Sequence, residues 1–395
     1  MRGNAACTTD VNAKKQRQRV LVLYLLKKVR RFIMNSGQYY LRMKGLILSG
    51  GHGTRLRPIT YSQQKQLIPI ANKPILFYCI EDLINAGIHD IAIIVGPNKD
   101  QVMETVLSVP WEANIEFIFQ DAPRGLAHAV KISQEFVQSD NFIMYLGDNL
   151  LKGGSMDFIR DFAGSKVDAS LLLTEVEDPH QYGVALVDEQ KKIIMKLVEK
   201  PKNPPSNLSI VGIYGLTPRI FEAIENIKPS WRGELEITDA LHWLIENGYK
   251  IRYGMVQGWW KDTGKTEDIL DANRLILDTI KEDNCGVVES GKINGQVKIG
   301  KNTVIRDGTV IEGPAIIGND CVISASTIGP YTSIGNESII SSTRISNSIV
   351  MEGAHFEGID GISGSLIGKN VTLKKNENTR DNKTFVLGDS SQVIL

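Results

Sequence analysis

Two basic side chains stand where a phosphate group could be bound. Arg55 belongs to the turn Gly50-Gly51-His52-Gly53-Thr54-Arg55, which follows an apolar segment at residues 44–49, and Lys65 comes soon after it. Glycine leaves room for backbone N–H groups to approach phosphate oxygens, and a guanidinium can hold a polyphosphate through two hydrogen bonds. The segment therefore predicts a polyphosphate-binding site built from backbone and side-chain donors.

This turn differs from two common phosphate-binding motifs. It is not a P-loop, because no Gly-Lys-Ser/Thr step follows it. It also departs from the dinucleotide fingerprint, since Leu56 stands where that fingerprint has its last glycine after Gly53. What distinguishes the turn is the pair Arg55 and Arg57, because a glycine-rich turn without them would be weak evidence of a binding site.

Two acidic side chains lie far apart in the chain. Asp148 follows the apolar segment 142–146, and Asp262 follows two tryptophans and precedes the turn residue Gly264. In open α/β sheets, ligands collect at the carboxyl ends of the strands, where Asp148 would lie. An isolated Gly-Asp step is by default a turn or a helix cap. Spacing alone does not show that the two carboxylates meet.

An alternation of apolar strands and helical segments would position these residues. Continuous apolar strands between helices predict a largely parallel sheet that is covered on both faces. The predicted strands cover residues 44–49, 91–95, 115–119, 142–146, 169–174, 183–187, 192–199, 210–216 and 251–256. The predicted helices cover 74–86, 101–107, a segment from 126, 236–247 and 266–282. The predicted fold class is α/β, with a Rossmann-like, mixed and mostly parallel sheet.

A six-residue repeat replaces this pattern after Gly286. Isoleucine recurs at positions 293, 299, 305, 311, 317 and 323, and after a slip of one residue the step resumes at 328, 334 and 340. The repeat predicts short strands, three to a coil, each with one aliphatic side chain inward, which is a parallel β-helix. One buried isoleucine contributes about 2–3 kcal/mol, whereas ordering six residues costs at least about 6 kcal/mol. The coils are therefore stable only when stacked.

Composition excludes several classes of protein. The chain has 395 residues, 42% of them hydrophobic and 23% charged, so it can bury a sizeable core and is long enough for two domains. Lysine plus arginine equals aspartate plus glutamate at 45 each, which gives no overall attraction to nucleic acid or to an acidic membrane. The longest apolar run in the first 42 residues, Val20–Leu26, is too short to cross a bilayer. We therefore expect neither nucleic acid nor a membrane as a partner.

The first 42 residues are strongly basic. They carry ten lysines and arginines against the single Asp10. Either they form a flexible or amphipathic extension, or Met43 is the true initiator, and the apolar pattern that starts directly after Met43 favours the second interpretation. The predicted organisation is a basic extension at 1–42, an α/β domain at 43–283, a β-helix at 284–373 and a C-terminal tail at 374–395.

The cysteines indicate neither a zinc site nor a disulfide framework. Cys7, Cys79, Cys285 and Cys321 are widely spaced and form no Cys-x-x-Cys pair, and the six histidines are equally dispersed. A reducing cytoplasm fits this cysteine usage best, and each histidine is expected to be structural.

Six segments of the chain resemble, in the same order, motifs of the sugar-1-phosphate nucleotidyltransferases, and most closely those of the thymidylyl-transferring branch. They are Gly50–Pro58, Lys65-Gln66-Leu67, Gly147-Asp148-Asn149, Glu199-Lys200-Pro201, Arg232–Asp239 and Asp262-Thr263-Gly264. The likeness covers residues 43 to about 280. The repeat that follows resembles the left-handed β-helix of the longer family members, a fold often found in homo-oligomers. A homo-oligomer is therefore expected.

The resemblance also implies roles for individual residues. Arg55 would contact the β- and γ-phosphates, Lys65 the α-phosphate, and Asp148 and Asp262 would bind Mg²⁺. The implied catalytic residues are Arg55, Lys65, Asp148 and Lys200. The implied nucleotide-binding residues are Gly50, Gly51, Gly53, Thr54, Gln120, Gly125 and Leu126. The implied sugar-phosphate-binding residues are Tyr182, Gly183, Glu199, Lys200, Gly212 and Arg232. His52 is assigned no role.

The implied reaction is nucleotidyl transfer from dTTP to glucose 1-phosphate, which gives dTDP-glucose and pyrophosphate. A phosphate oxygen of the sugar phosphate would attack the α-phosphorus directly, and no general base is needed because that phosphate is already ionised near neutral pH. The obstacle is repulsion, since two unit charges about 4 Å apart repel by about 4 kcal/mol at an effective dielectric constant of about 20. Mg²⁺, Arg55, Lys65 and Lys200 would offset this repulsion.

Two alternative functions stay open. A transferase that uses UTP, or N-acetylglucosamine 1-phosphate, with an acetyltransferase activity in its β-helix would share most of these motifs. Such acetyltransferases usually need a basic histidine, and His355 is the only histidine in the repeat region. A non-catalytic sugar-nucleotide sensor or scaffold would also share the fold, although it has no need of an intact Arg55, Lys65, Asp148 and Asp262.

Overall fold

A computed structural model describes residues 43–51, 53–152, 155–375 and 385–394. The predictions for residues 1–42 and for His52 lie outside these residues. From Met43 onward the chain forms one compact unit, in which an α/β part is followed by a β-helix.

The α/β part is built on one mixed sheet. Nine of the described strands form it, in the order β5-β4-β1-β6-β11-β8-β12-β10-β9. The strands of this part are β1 (Met43–Ser49), β2 (Pro69–Ile70), β3 (Lys73–Pro74), β4 (Asp90–Val95), β5 (Asn114–Phe119), β6 (Asn141–Leu146), β7 (Asn149–Leu151), β8 (Ala169–Glu175), β9 (Gly183–Asp188), β10 (Ile193–Glu199), β11 (Leu208–Leu216), β12 (Ile251–Met255) and β13 (Trp260–Asp262). Strands β5, β4, β1 and β6 are parallel, whereas β11 is antiparallel to β6 and β8. The predicted Rossmann-like α/β fold is confirmed.

Helices cover both faces of this sheet. They are α1 (Ile75–Asn85), α2 (Lys99–Leu107), α3 (Leu126–Ile132), α4 (Gln134–Val137), α5 (Met156–Ala163), α6 (Arg219–Asn226), α7 (Ile237–Glu246) and α8 (Thr266–Leu277). The sequence interpretation did not include α5 and α6, and it extended α8 to residue 282. None of the helices described is both long and apolar enough to cross a membrane.

Helix α1 shows how the apolar pattern produces this packing. Its buried side chains, Ile75, Leu76, Cys79, Ile80 and Leu83, recur at helical spacing and therefore lie on one face, which contacts the sheet. Gly87, with φ of 87°, follows the helix in the left-handed conformation that glycine adopts without strain.

The C-terminal part is a three-sided parallel β-helix, as the six-residue repeat predicts. Consecutive strands fall into three parallel sheets, an arrangement consistent with a left-handed β-helix. The strands are β14 (Asp283–Asn284), β15 (Val287–Val288), β16 (Gly291–Asn294), β17 (Val297–Ile299), β18 (Val304–Arg306), β19 (Thr309–Glu312), β20 (Ala315–Ile317), β21 (Val322–Ser324), β22 (Thr327–Ile328), β23 (Thr332–Ile334), β24 (Ile339–Ser341), β25 (Arg344–Ser346), β26 (Ile349–Val350), β27 (His355–Glu357), β28 (Ile362–Ser363), β29 (Leu366–Ile367), β30 (Thr372–Lys374), β31 (Val386–Leu387) and β32 (Gln392–Ile394).

The slip in the isoleucine repeat is a change in coil length. Ile305 pairs with Ile323, 18 residues on, whereas Ile317 pairs with Ile334, 17 residues on. All four side chains are buried in the β-helix core. The turns therefore absorb the missing residue, and the inward register of the strands is kept.

The β-helix continues beyond the boundary predicted at residue 373. Strand β31 pairs with β29, and β32 pairs with β30, so residues 385–394 extend the β-helix and are not a separate tail. Gly388 in this last coil lies against the α/β part, where a Cβ atom at its position would be 3.5 Å from the carbonyl oxygen of Pro58.

One hydrophobic cluster, here named the junction cluster, joins the two parts. Its buried side chains come from the loops after β1, from β7, from α1 and α8, and from the outer face of the β-helix. They are Leu56, Ile59, Ile68, Ile70, Ile75, Leu150, Ile269, Leu270, Ala272, Ile349, Met351 and Leu366. The segment that follows the glycine-rich turn is thus packed against the β-helix.

Candidate active site

The glycine-rich turn follows β1, and its neighbours fix its shape. Gly53 has φ of 59°, and a Cβ atom at this position would lie 3.0 Å from the Cβ of Lys65. The buried amide of Gln64 donates hydrogen bonds to the carbonyl oxygens of Ser49 (3.0 Å) and Gly51 (2.8 Å). Gln64 is a turn-shaping residue that the sequence analysis missed, although it stands directly before the Lys65-Gln66-Leu67 motif.

Lys65 links the two predicted metal ligands. Its Nζ atom is 2.5 Å from Asp148 Oδ2 and 3.7 Å from Asp262 Oδ1. The two aspartates meet because β7 and β13 form an antiparallel ribbon in which Asp262 is opposite Asn149. Thr263 strengthens the contact, since both its N–H and its hydroxyl donate to the Asp148 carbonyl oxygen. The pairing that spacing could not establish is therefore present.

The charges of this trio alter one another's ionisation. Burial and the neighbouring Asp148 carboxylate raise the pKa of Asp262 to about 6. Burial would also raise the pKa of Asp148, but the Lys65 ammonium outweighs it and holds that pKa below its usual value. For Lys65, burial opposes the charged form, yet the two carboxylates keep its pKa raised. Lys65 is therefore a fixed positive charge between two acids.

Asn149 organises the same corner from beneath. Its side chain, only 2% exposed, donates to Asp148 Oδ1 at 2.9 Å. Its Oδ1 atom accepts from Trp260 Nε1 at 2.6 Å and from the Gly212 N–H at 3.2 Å. A Cβ atom at Gly212 would lie 2.6 Å from this oxygen, so position 212 has room only for glycine.

Arg55 lies on the exposed side of the ribbon. A Cβ atom at Gly264 would lie 3.1 Å from Arg55 Nη2, which places the guanidinium against the turn that follows Asp262. Thr54 and Arg55 are both exposed. The glycine-rich turn therefore presents a free guanidinium next to the carboxylate pair.

The residues predicted to read the nucleobase lie on the other side of the turn. Gln120 follows β5, and a Cβ atom at Gly50 would lie 3.2 Å from its Oε1. Its Nε2 atom is 3.4 Å from the Gly125 carbonyl oxygen and 3.0 Å from Nδ1 of His128. Gly125 has φ of 102°, and Leu126 begins α3 directly after it. Gln120 thus joins the glycine-rich turn to the Gly125-Leu126 step.

The residues predicted to hold the sugar phosphate surround Glu199, at the end of β10. Arg232 Nη1 is 3.8 Å and Lys200 Nζ 3.6 Å from Glu199 Oε1. Thr238 donates to Glu199 Oε2 at 3.1 Å. Burial raises the pKa of Glu199 despite the Lys200 and Arg232 charges. A Cβ atom at Gly183 would lie 3.3 Å from Glu199 Oε2.

Tyr182 connects this group to the ribbon. Its ring meets that of Trp260 edge to face, with centroids 5.5 Å apart. Its carbonyl oxygen accepts from the N–H of Lys200 at 3.1 Å, which fixes the backbone of Lys200. The tyrosine therefore adjoins both the Glu199 group and the strand that carries Asp262.

The donor set suits a divalent ion that is shared with a substrate. Among the residues described, no cluster of three or more His, Cys, Asp or Glu side chains could hold a metal ion by itself. Asp148 and Asp262 do supply two hard oxygen ligands side by side, and small divalent cations in phosphoryl-transfer sites commonly combine one or two carboxylates with phosphate oxygens. The two aspartates fit such an ion.

Comparison with known proteins agrees with this geometry. A family model described as nucleotidyl transferase matches residues 44–279. The chain belongs to this family. The predicted nucleotidyltransferase enzyme is thereby confirmed, and enzymes of this family generally use a divalent metal ion.

Relatives of this transferase cover nearly the whole of it from residue 43 onward in length. It is 42% identical over 355 residues to a glucose-1-phosphate thymidylyltransferase from Streptomyces griseus, a match that covers 89% of this chain and 99% of that one. It is 43% identical over 358 residues to the low-salt glycan biosynthesis nucleotidyltransferase Agl11 of Haloferax volcanii, with 89% and 100% covered. A solved structure from Bacillus anthracis, assigned as a glucose-1-phosphate thymidylyltransferase, matches with a TM-score of 0.55 and 34% identity, and covers 61% of this chain and 98% of its own.

Proposed function

We propose that the protein is a cytoplasmic glucose-1-phosphate thymidylyltransferase that makes dTDP-glucose and pyrophosphate from dTTP and glucose 1-phosphate. One observation carries this proposal. Lys65, Asp148 and Asp262 form a charged trio between the glycine-rich turn on one side and the Glu199 group on the other. A triphosphate on the turn and a sugar phosphate on the Glu199 group would meet at this trio.

The bond changes follow from that arrangement. A phosphate oxygen of glucose 1-phosphate attacks the α-phosphorus of dTTP, a new P–O bond forms, and the bond from the α-phosphorus to the bridging oxygen of pyrophosphate breaks. The electron pair of the broken bond leaves with pyrophosphate. No proton has to be removed from the nucleophile, so the protein acts by positioning and by charge neutralisation.

The nucleotide side of the site would hold the triphosphate through its backbone. The N–H groups of the turn and the guanidinium of Arg55 face the β- and γ-phosphates, and Lys65 faces the α-phosphate. Gln120 offers an amide that can donate to and accept from a pyrimidine edge, and Gly125-Leu126 lines the base. The assigned nucleotide-binding residues are Gly50, Gly51, Gly53, Thr54, Gln120, Gly125 and Leu126.

The sugar side would bind hydroxyls and a phosphate. Glu199 accepts from sugar hydroxyls, while Lys200 and Arg232 supply positive charge for the phosphate. The glycines of this side leave space for the hexose ring, because a Cβ atom at either position would meet a neighbouring side chain. The assigned residues are Tyr182, Gly183, Glu199, Lys200, Gly212 and Arg232.

Asp148 and Asp262 would hold Mg²⁺ together with phosphate oxygens of the nucleotide. Mg²⁺ bound there supplies Lewis-acid stabilisation of charge on the α-phosphate. Lys65 then donates its ammonium to substrate oxygens in addition to the Asp148 carboxylate. The trio thus acts as a cation-rich centre for two anionic substrates.

The test is pyrophosphate release across a matrix of substrates. The purified chain is mixed with Mg²⁺, with dTTP or UTP, and with glucose 1-phosphate or N-acetylglucosamine 1-phosphate. We expect the highest kcat/KM with dTTP and glucose 1-phosphate. Release with UTP alone would overturn the choice of base, and no release with any pair would favour the sensor or scaffold. A parallel assay with glucosamine 1-phosphate and acetyl-CoA tests the acetyltransferase alternative.

A further inference from the structure

A short hairpin begins three residues after Lys65. Strands β2 and β3 pair antiparallel, and the Ile75 N–H donates to the Ile68 carbonyl oxygen across its base at 3.2 Å. The two turn residues, Ala71 and Asn72, have φ of 47° and 60°. Asparagine is among the few residues other than glycine that tolerate this left-handed region. The hairpin is therefore a defined element with a tight tip.

The tip of the hairpin reaches the β-helix. Asn72 Nδ2 donates to the carbonyl oxygen of Ile334, on β23, at 2.6 Å. The Ala71 N–H donates to Asn273 Oδ1 on α8 at 2.8 Å, and the same oxygen accepts from Ser333 Oγ of the β-helix, also at 2.8 Å. Asn273 is 1% exposed. Hydrogen bonds therefore tie the tip to the β-helix both directly and through α8.

The base of the hairpin is held as firmly as its tip. Ile68 and Ile70 are fully buried members of the junction cluster, which also contains Met351 and Leu366 of the β-helix. The N–H of Ile68 donates to the carbonyl oxygen of Lys65 at 3.1 Å. The hairpin and Lys65 thus form one continuous packed segment, so a shift of the hairpin also shifts Lys65.

Lys65 has little freedom to compensate for such a shift. Its side chain is 8% exposed and lies between Asp148 and Asp262. Asp148 and Asp262 are carried by a different element, the β7–β13 ribbon. The geometry of the trio therefore depends on how the hairpin and the ribbon are placed relative to each other.

We propose that Asn72 is a positioning residue through which the β-helix keeps Lys65 aligned with Asp148 and Asp262. The proposal rests on the proposed function, because its main readout is the transferase reaction. It gives the β-helix a part in catalysis although none of its residues is assigned to the active site. Asn72 acts only through the hairpin.

The test compares two variants that keep the turn conformation. Asn72→Gly retains the left-handed backbone and removes the side-chain donor, and Asn72→Asp retains the shape but cannot donate to the Ile334 carbonyl. The matched control is Asn302→Gly, because Asn302 is an exposed β-helix residue with φ of 59° whose side chain binds Asp320 within the β-helix. We expect kcat to fall about tenfold or more in both Asn72 variants, with KM for glucose 1-phosphate unchanged. The control should behave as wild type.

A second readout does not depend on turnover. Lys65 is shielded by its position, so acetic anhydride should label it slowly in the wild-type protein and in the control, and severalfold faster in the Asn72 variants, as followed by peptide mass spectrometry. The melting temperature should stay within about 4 °C of wild type. Such a result supports positioning, whereas a large loss of melting temperature with proportional loss of active protein would reduce Asn72 to a structural role.

Failure of the proposal and failure of the proposed function are distinguishable. If the wild-type protein releases pyrophosphate from no substrate pair, the proposed function is wrong, and the labelling of Lys65 still tests the mechanical link. If the wild type is active and the Asn72 variants match the control in kcat and in Lys65 labelling, Asn72 does not position Lys65.

Discussion

Lys65 and its two carboxylates have an electrostatic asymmetry that bears on metal binding. Lys65 neutralises Asp148 closely and Asp262 only at a distance, which agrees with a lowered pKa for Asp148 and a raised one for Asp262. Asp148 is therefore a ready anionic ligand. Asp262 becomes a full anion when a further positive charge arrives next to it.

The two aspartates should be needed for turnover far more than for folding. We expect Asp148→Asn and Asp262→Asn each to lower kcat at least about a hundredfold, because each removes an anionic ligand of the divalent ion and disturbs the Lys65 ammonium. Pyrophosphate release and thermal unfolding measure the two effects separately. The exposed Asp161→Asn is the control. Near-normal turnover of both variants would remove the metal from the mechanism.

The types of the site residues are visible in sequence, but their neighbours in space are not. Asp148 stands out because it ends a buried strand, and Arg55 because it interrupts a glycine-rich turn. Asp262 is 114 residues beyond Asp148, and only the ribbon pairing brings them together. Gln64 gave no signal beyond its place before Lys65, since a buried glutamine and an exposed one look alike in a single sequence.

At the scale of elements, the contact between α1 and β6 contains a buried acid. Tyr145 of β6 is fully buried and donates its hydroxyl to Asp82 of α1 at 3.0 Å. Burial raises the pKa of Asp82 to about 6, although the Tyr145 hydrogen bond acts in the opposite direction. Burial also raises the pKa of Tyr145 well above its usual value. The pair favours a protonated Asp82 in the folded protein.

This acid should make the folded protein less stable as the pH rises. An unfolded Asp82 loses its proton near pH 4 and the folded one near pH 6, so the folded state binds more protons between these values and the free energy of unfolding falls across this window. Asp82→Asn removes the dependence. We expect the stability of the variant relative to wild type to rise by about 1–3 kcal/mol from pH 4 to pH 7.

Chemical denaturation at pH 4.5, 5.5 and 7 measures this difference. The exposed Asp161→Asn serves as the matched control, because it removes one carboxylate from a helix without touching a buried partner. Parallel stability curves for wild type and Asp82→Asn would show that burial does not shift Asp82 as stated.

Long, periodic elements were predictable and short ones were not. Continuous apolar strands such as β4 and β6 stand between clear turn signals. Helices α5 and α6 have eight residues each, alternate apolar with charged side chains, and follow turns at Ser155 and Pro218. The end of α8 at Leu277 was missed because residues 278–282 continue its polar pattern while the chain turns into the first β-helix coil.

At the scale of the whole molecule, the junction cluster makes the β-helix part of the α/β fold. Leu56, Ile59 and Ile269 are buried together with the β-helix side chains Ile349 and Leu366. Each large aliphatic side chain contributes about 1.5–3 kcal/mol when buried, and the net stability of a protein is only about 5–15 kcal/mol. Loss of this contact surface would therefore remove a large share of the total.

A chain restricted to residues 43–283 should consequently fold poorly. We expect aggregation or a markedly lower melting temperature, because the α/β side of the junction cluster would be exposed to water. A chain ending at Lys375 is the control, since it lacks the last coil but keeps every member of the cluster. Size-exclusion chromatography and thermal unfolding distinguish the two. A monodisperse short chain with wild-type melting behaviour would show that the α/β part is self-sufficient.

The unequal coils of the β-helix bear on where the protein can be modified. Leu373 pairs with Val393, 20 residues on, whereas Phe356 pairs with Leu373 after 17, and the sheets stay in register. Corners therefore accept extra length that strands would not tolerate. An epitope tag or a fluorophore-bearing peptide inserted at a corner remote from the junction cluster should leave both the tube and the catalytic half undisturbed, which makes these corners natural attachment points for labelling.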